Sequence, residues 1–322
     1  MTAAPALGWR GHSPRCLPGN FSHLYRIPGP ATLESRFESV DLEAITTRFP
    51  SEENFTSDLR MTGPLPYIGG KNRIANKIVQ IFPEHTAYVE AFAGGAQVLF
   101  HKEPSHVEVL NDLDGEVVNF FRVCQQHHEE LLRCLRFILV SRKWFEIFEN
   151  QNPESLTDIQ RAARFFYIQK TSYAGLVRHH NYNYSAAGPP SFNPGRLPEL
   201  IDQTHERLQR VQIECLPYEE ILKRFDRPLT LFYLDPPYFG RKLYKFNFSE
   251  EDFVALEKRL KELRGKFVLS LNDVPEVRRI FHRFHFREIE LAYTAQQAAG
   301  KRYPELLITN YRLREANAEV KP

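Results

Sequence analysis

The chain has 322 residues, enough for one large or two ordinary domains. Hydrophobic residues make up 42% and charged residues 25%, the balance of a soluble globular protein, which excludes a disordered chain, a collagen-like repeat and a multi-span membrane protein. A net charge of +2 is too small to mark a nucleic-acid binder, so any basic surface has to be local.

Residues 1–60 are rich in Pro and Gly early on and show no sustained apolar periodicity. The first 33 carry Arg10, Arg15 and Arg26 and no acid, a faint likeness to an organelle transit peptide. The readings, in order, are a stretch upstream of the true start, a disordered tail and a transit peptide. Residues 1–62 are therefore set apart as an N-terminal extension, and Met61 is the expected first residue of the functional protein.

Regular patterns begin at Pro66. Residues 71–82 place Ile74, Ile78, Ile81 and Phe82 on one helical face, and Pro83 stops them. Short apolar runs at 87–92, 107–110, 211–216, 229–234, 267–271, 286–291 and 306–309 read as seven strands. Ser249 and Asp252 form a capping box before Phe253, Leu256, Leu260 and Leu263, a helix that Gly265 ends. Pro275 opens a further short helix through Phe281, and no helix is expected between the last two strands. The architecture is α/β: an open, Rossmann-like sheet of seven strands with an antiparallel end.

One gap breaks the rhythm. Between Asp112 and Val211 come helical stretches at 117–126, 129–140 and 159–169 and a loop-like segment at 175–198. An insertion of this size reads as a mainly helical subdomain, residues 119–204. It would divide a catalytic domain formed by 63–118 and 205–314, with 315–322 as a polar tail.

Open α/β sheets bind ligands at the carboxyl ends of their strands. After the first strand stands Glu90-Ala91-Phe92-Ala93-Gly94-Gly95-Ala96, where glycines let the backbone turn and approach a ligand. The second strand ends in Asn111-Asp112, at the spacing where an acid grips ribose hydroxyls. Each signal is weak alone. Together they favour an adenosine-containing ligand, and no Walker lysine motif asks for phosphates.

The fourth strand ends in Leu234-Asp235-Pro236-Pro237-Tyr238. Two prolines fix the backbone and donate no N–H, so the outward groups are acceptors, the Asp235 carboxylate foremost. Such acceptors orient an exocyclic amine and leave its lone pair facing an electrophile. Tyr238 offers a ring on which a base can stack.

Asp-Pro-Pro-Tyr at Asp235–Tyr238 is the hallmark of methyltransferases acting on adenine N6, and the chain resembles the Dam-type DNA adenine methylase family. Tyr67-Ile68-Gly69-Gly70-Lys71 is similar to the family's opening cofactor motif, with Tyr67 where many members have Trp. The stretch from Glu90 to Ala96 is similar to Glu-Pro-Phe-x-Gly-x-Gly, with Ala91 for the Pro and Ala96 for the last Gly. Leu269-Ser270-Leu271-Asn272-Asp273 and the stretch from Glu305 to Tyr311 resemble later motifs. The resemblance implies a seven-stranded methyltransferase sheet and S-adenosyl-L-methionine as cofactor. It implies contacts to that cofactor from Tyr67, Lys71, Glu90, Phe92, Gly94, Gly95, Asp112 and Asp235, with catalysis by Asp235, Pro236, Pro237 and Tyr238. It further implies direct methyl transfer to a flipped-out adenine of double-stranded DNA.

The DNA contact is sought in the insertion. From Gln160 to Pro198 there is no Asp or Glu, yet Arg161, Arg164, Lys170, Arg178 and Arg196 occur beside Asn181 and several aromatics. Arg and Asn read base edges, and the remaining cations suit phosphates. Arg241 and Lys242 follow the catalytic turn and are expected to clamp the flipped nucleotide. No metal site is expected, because neither His127-His128 nor His179-His180 has a partner set. Four scattered cysteines, Cys16, Cys124, Cys134 and Cys215, indicate a reduced cytoplasmic protein. No apolar run reaches the ~18 residues that a membrane helix needs. The alternatives are RNA adenine methylation and a catalytically silent DNA-binding relative; a protein-amide substrate would favour Asn in place of Asp235. The recognised site, a companion restriction enzyme, and the choice between monomer and dimer are left open.

Overall fold

The computed structural model describes residues 61–172, 181–183, 192–289 and 305–313. These lie within one of the two units into which the chain divides, Asp58–Pro322. The expectations for residues 1–60, for Arg178, for His179-His180, for the connection at 290–304 and for the tail from 314 fall outside the described residues.

Seven strands form one sheet: β1 Ala87–Glu90, β2 Val107–Asn111, β3 Val211–Glu214, β4 Thr230–Leu234, β5 Lys266–Asn272, β6 His285–Ile289 and β7 Glu305–Thr309. Their order is β3-β2-β1-β4-β5-β7-β6. The first five pair in parallel, and β7 runs antiparallel between β5 and β6. All seven strands expected from the apolar runs are present, with ends shifted by a few residues.

Side chains alternate along a strand, so each strand feeds two layers. On β4, Leu231 and Tyr233 enter one core and Phe232 and Leu234 the other. The second core is closed by α8 (Tyr218–Phe225), α9 (Glu250–Glu262) and α10 (Pro275–Ile280). The capping box that opens α9 is formed: the Ser249 hydroxyl accepts from the Asp252 N–H, and the Asp252 carboxylate accepts from the Ser249 N–H.

The first core is closed by α1 (Ala75–Val79), α2 (Gln97–His101) and a group of helices from the insertion. These are α3 (Gly115–Gln126), α4 (His128–Leu135), α5 (Arg142–Asn150), α6 (Asp158–Thr171) and α7 (Leu197–Leu208). The Phe120 and Phe166 rings stack at 5.4 Å, with Phe192 against Phe166, and all are fully buried. That core runs without a break from the sheet face into the insertion. The expected boundaries at 118/119 and 204/205 fall inside α3 and α7.

The helix expected over 71–82 contracts to α1, and that over 129–140 ends at Leu135. Among the described residues three helices were not anticipated, α5, α7 and α8, whereas α2 follows the glycine turn as expected. Pro198 had suggested a loop, but it stands in the first turn of α7, where its missing N–H has no intrahelical partner to lose. A buried ionic cluster then fastens α7 to the sheet, with Glu108 of β2 accepting from Arg207 of α7 and from Lys102 after α2. Among the described residues no helix is long and apolar enough to cross a membrane.

If the insertion is fastened by this shared aromatic core, Phe166→Ala should cost about 3–5 kcal/mol of stability, as large core truncations do. Urea unfolding measures it, and a loss below about 1 kcal/mol would show that α6 contributes little to the fold.

Candidate active site

The strand order reverses direction between β1 and β4, and the crevice outside their carboxyl ends is where such sheets take ligands. A cavity of about 370 Å³ opens there. Its walls come from the turn after β1, the acid after β2, the segments before α1 and α8, and the chain following β4.

The turn after β1 works through close approach. Gly94 has φ +47°, and a Cβ at this position would lie 2.9 Å from the Tyr67 ring. Ala96, where a last glycine was expected, also adopts a left-handed conformation, with φ 51°. The substitution therefore keeps the turn and adds strain of the kind L-residues incur there. Asp112 ties this turn to β2, accepting from the N–H groups of Gly94 and Asp114, each at 2.8 Å. Burial pushes the Asp112 carboxyl up to about 6 against those N–H donors. Asn111 fastens the same corner by donating to the Ala91 and Leu216 carbonyls and accepting from the Leu216 N–H.

Aromatic faces line the outer cavity. Phe92, Tyr218 and Phe248 meet pairwise with ring centres 5.5 to 5.8 Å apart. The chain after the Asp235–Tyr238 turn folds over the cavity. Tyr244 stacks on Tyr67 and donates to the Ile68 carbonyl, and Lys245 pairs with Asp114 at 3.0 Å. This cleft suits a nucleoside bearing positive charge: flat faces for a base, carboxylates for hydroxyls and cations, and a turn open to close backbone contact. The residues present fit S-adenosylmethionine on that chemistry.

At the inner end stands Asp235, at the end of β4. Its two oxygens accept from the Lys71 ammonium at 2.6 and 2.7 Å, and Lys71 donates also to the Gly69 carbonyl. The Asp235 side chain keeps 20% exposure while Lys71 keeps 4%. Burial drives the Asp235 carboxyl up to about 6, with Lys71 opposing and Glu305 adding to the rise. Burial disfavours the Lys71 cation, but Asp235 and Glu305 together hold it well above the ordinary ammonium range. Lys71, expected to contact the cofactor, lines the cavity and pairs with the Asp235 carboxylate.

Tyr238 is half-buried and donates its hydroxyl to both oxygens of Glu305, at 2.8 and 2.6 Å. The Lys71 ammonium lies 5.0 Å from its ring centre, so one face is already engaged. Asn272 of β5 clamps the turn from the other side, accepting from the Phe239 N–H and donating to the Phe239 carbonyl. Pro236 and Pro237 are buried in the turn itself.

Other expected site residues are placed differently. Glu90 lines the cavity, but its carboxylate accepts from the Tyr88 hydroxyl and the Leu99 N–H, so it fixes α2. Burial raises it to about 8. Arg161 pairs with Glu116 of α3, and Arg164 donates to the Phe148 and Glu149 carbonyls at the end of α5. Both guanidinium groups join helices. Lys170 lies against the Phe166 ring, and burial lowers it to about 8. Asn181, Arg196, Arg241 and Lys242 are exposed. Sequence reasoning passed over Glu305 and Asn272 as site residues; each stood inside a quoted motif, with no signal of its partner.

A glycine turn after β1, an acid after β2 and a held carboxylate after β4, on a sheet in this order, define a methyl-transfer enzyme of the Rossmann-like class. The chain belongs to the D12 class N6 adenine-specific DNA methyltransferase family, whose profile matches residues 67–295. It is 25% identical over 269 residues to the type II methyltransferase M1.LlaDCHI of Lactococcus lactis subsp. cremoris, covering 76% of this chain and 94% of that protein. It is 24% identical over 289 residues to the type II methyltransferase M.MjaIII of Methanocaldococcus jannaschii, covering 77% and 98%. The family's methyl donor is S-adenosylmethionine.

Gly94→Ala should therefore destabilise the protein by about 1–2 kcal/mol through the left-handed backbone alone. The contact with Tyr67 should also displace that ring and weaken cofactor binding. Thermal melting and calorimetry with S-adenosylmethionine measure the two effects, and an unchanged affinity would show that the turn tolerates a side chain.

Proposed function

We propose that this chain methylates the N6 amine of an adenine rotated out of double-stranded DNA, in a cytoplasmic setting, with Asp235 as the group that orients the amine. The single observation that carries the assignment of Asp235 is its position: a carboxylate at the inner end of the cofactor cleft, held on one side by Lys71 and open on the other. When bound, S-adenosylmethionine supplies an electrophilic methyl group, so the protein's part is alignment and exclusion of water.

The chain's own residues divide that part as follows. Tyr67, Phe92, Gly94, Gly95 and Asp112 hold the cofactor in the outer cleft, with Asp112 accepting from hydroxyls. Asp235 accepts an N6–H, which fixes the amine plane and turns its lone pair toward the cleft. Pro236 and Pro237 remove competing donors from the turn. Tyr238 presents its free face to the base, where stacking is worth about 1–3 kcal/mol and offsets part of the cost of flipping.

Residues 63–118 and 205–314 form the catalytic part, and the helical insertion 119–204 carries the DNA contact. Lys170, Asn181 and Arg196 of the insertion would contribute to that contact, with Arg241 and Lys242 joining from the chain after the Asp235–Tyr238 turn.

The test is single-turnover methylation of duplex DNA and of RNA of matching sequence. Asp235→Ala should lower the rate on DNA by about 10²-fold or more at saturating substrate, the scale of a lost acid–base or positioning group. With burial holding the Asp235 carboxyl up at about 6, the wild-type rate should fall as pH drops through that value, because the protonated acid no longer accepts the N6–H. Preferential methylation of RNA, or a folded Asp235→Ala protein with near-normal turnover, would overturn the assignment.

A further inference from the structure

Strand β7 is the antiparallel member of the sheet, so its first residue arrives at the edge where the parallel strands end. Glu305, that first residue, pairs with Asn272 at the end of β5 and sits behind the catalytic turn. It is 1% exposed. Burying a carboxylate costs several kcal/mol unless it is well partnered, and Glu305 is densely partnered. Ser270 of β5 donates to one oxygen, Tyr238 donates to both, and the Lys71 ammonium lies 3.6 Å away.

Lys71 thus has two counter-ions. One is Asp235, which touches substrate in the reading above; the other is Glu305, buried behind it. We propose that Glu305 is a positioning residue for methyl transfer: it keeps Lys71 compensated when Asp235 is neutralised, and it fixes the Tyr238 ring through the phenol.

This role of Glu305 rests on the proposed role of Asp235 and concerns the proton that Asp235 would take. Once the methyl carbon has bonded to N6, its bond to sulfur breaking and that electron pair leaving with the now neutral thioether, the nitrogen carries a positive charge and must lose one hydrogen. An N–H bond breaks, its electron pair returns to nitrogen, and an O–H bond forms on Asp235. Asp235 then ceases to be a counter-ion. With Glu305 present, Lys71 remains paired and buried. Without it, Lys71 would be left as an isolated buried cation, so Asp235 would resist the proton.

The groups facing Asp235 are Lys71 from the segment before α1, Glu305 from β7, Glu90 from β1, Tyr233 from its own strand and Tyr238 from its own turn. Lys71 lowers the proton affinity of Asp235 and Glu305 raises it. Removing the charge of Glu305 should therefore make Asp235 a weaker base.

Two variants separate charge from reach. Glu305→Gln keeps the length and loses the charge; Glu305→Asp keeps the charge and draws it back. In the full-length protein, the acid limb of the single-turnover rate should move down by about one pH unit in Glu305→Gln, the usual scale for one nearby charge. In Glu305→Asp the limb should stay near its wild-type position, with the plateau rate about tenfold lower. A second readout needs neither cofactor nor DNA: the Asp235 carboxyl resonance, assigned by its loss in Asp235→Asn, should titrate lower in Glu305→Gln than in wild type. Coincident titrations and coincident acid limbs in the two proteins would overturn the proposal.

Should Glu305→Gln fail a melting check, Tyr238→Phe carries the test, since it releases the ring while keeping every charge. Its rate should fall about tenfold with the acid limb unmoved; a wild-type rate would overturn the positioning role. Failure of the wild type to methylate adenine would sink the functional reading instead, and the carboxyl titration would still report on Glu305.

Discussion

A charged ammonium with almost no contact with water is the constraint around which this site is arranged. Lys71 is buried to 4% exposure, and an ion so placed costs several kcal/mol unless carboxylates lie against it. The sheet supplies two, from the end of β4 and the start of β7. Meeting that electrostatic demand places Asp235 at the floor of the cleft with one side free, and it ties the segment before α1 to the catalytic turn across 164 residues of sequence. Lys71 also reaches back to the Gly69 carbonyl, two residues before it. The stretch that carries Tyr67 against the glycine turn is thereby fixed to the same point.

The cofactor cleft and the catalytic turn are consequently one mechanical unit. Asp112 grips the glycine turn, Gly94 admits the Tyr67 ring, Tyr67 stacks on Tyr244, and Tyr244 belongs to the chain that leaves the catalytic turn. Asn272 and Glu305 hold that turn from behind. Positioned reactions lose rate steeply with small displacements, so a site whose chemistry is alignment gains from such mutual fastening.

Much of this was legible in the sequence, for identifiable reasons. Buried parallel strands leave continuous apolar runs, and those runs revealed all seven strands. The Ser249–Asp252 box is a local signal, and α9 begins where it stands. The strand-end residues Gly94, Asp112 and Asp235 line the cavity, as the preference of open α/β sheets for ligands at that edge leads one to expect. What could not be read depends on partners far away in the chain. That Arg161 pairs with Glu116, 45 residues away, and Arg164 with the end of α5 had no local signal. Glu305 gave no sign that it would sit beside Lys71. A short helix such as α8 offers too few turns for periodicity to register, and Pro198 signalled a break where it begins a helix.

We propose that Lys71 acts chiefly through the Asp235 carboxylate it holds, and one comparison tests this most directly. In a Lys71→Met protein verified as folded by melting, S-adenosylmethionine affinity is measured by calorimetry beside the single-turnover rate at saturating DNA and cofactor. The account predicts an affinity within about tenfold of wild type and a rate lower by about 10²-fold or more, the pattern of an interaction made at the reacting centre. A collapse of cofactor affinity with a near-normal rate at saturation would contradict it.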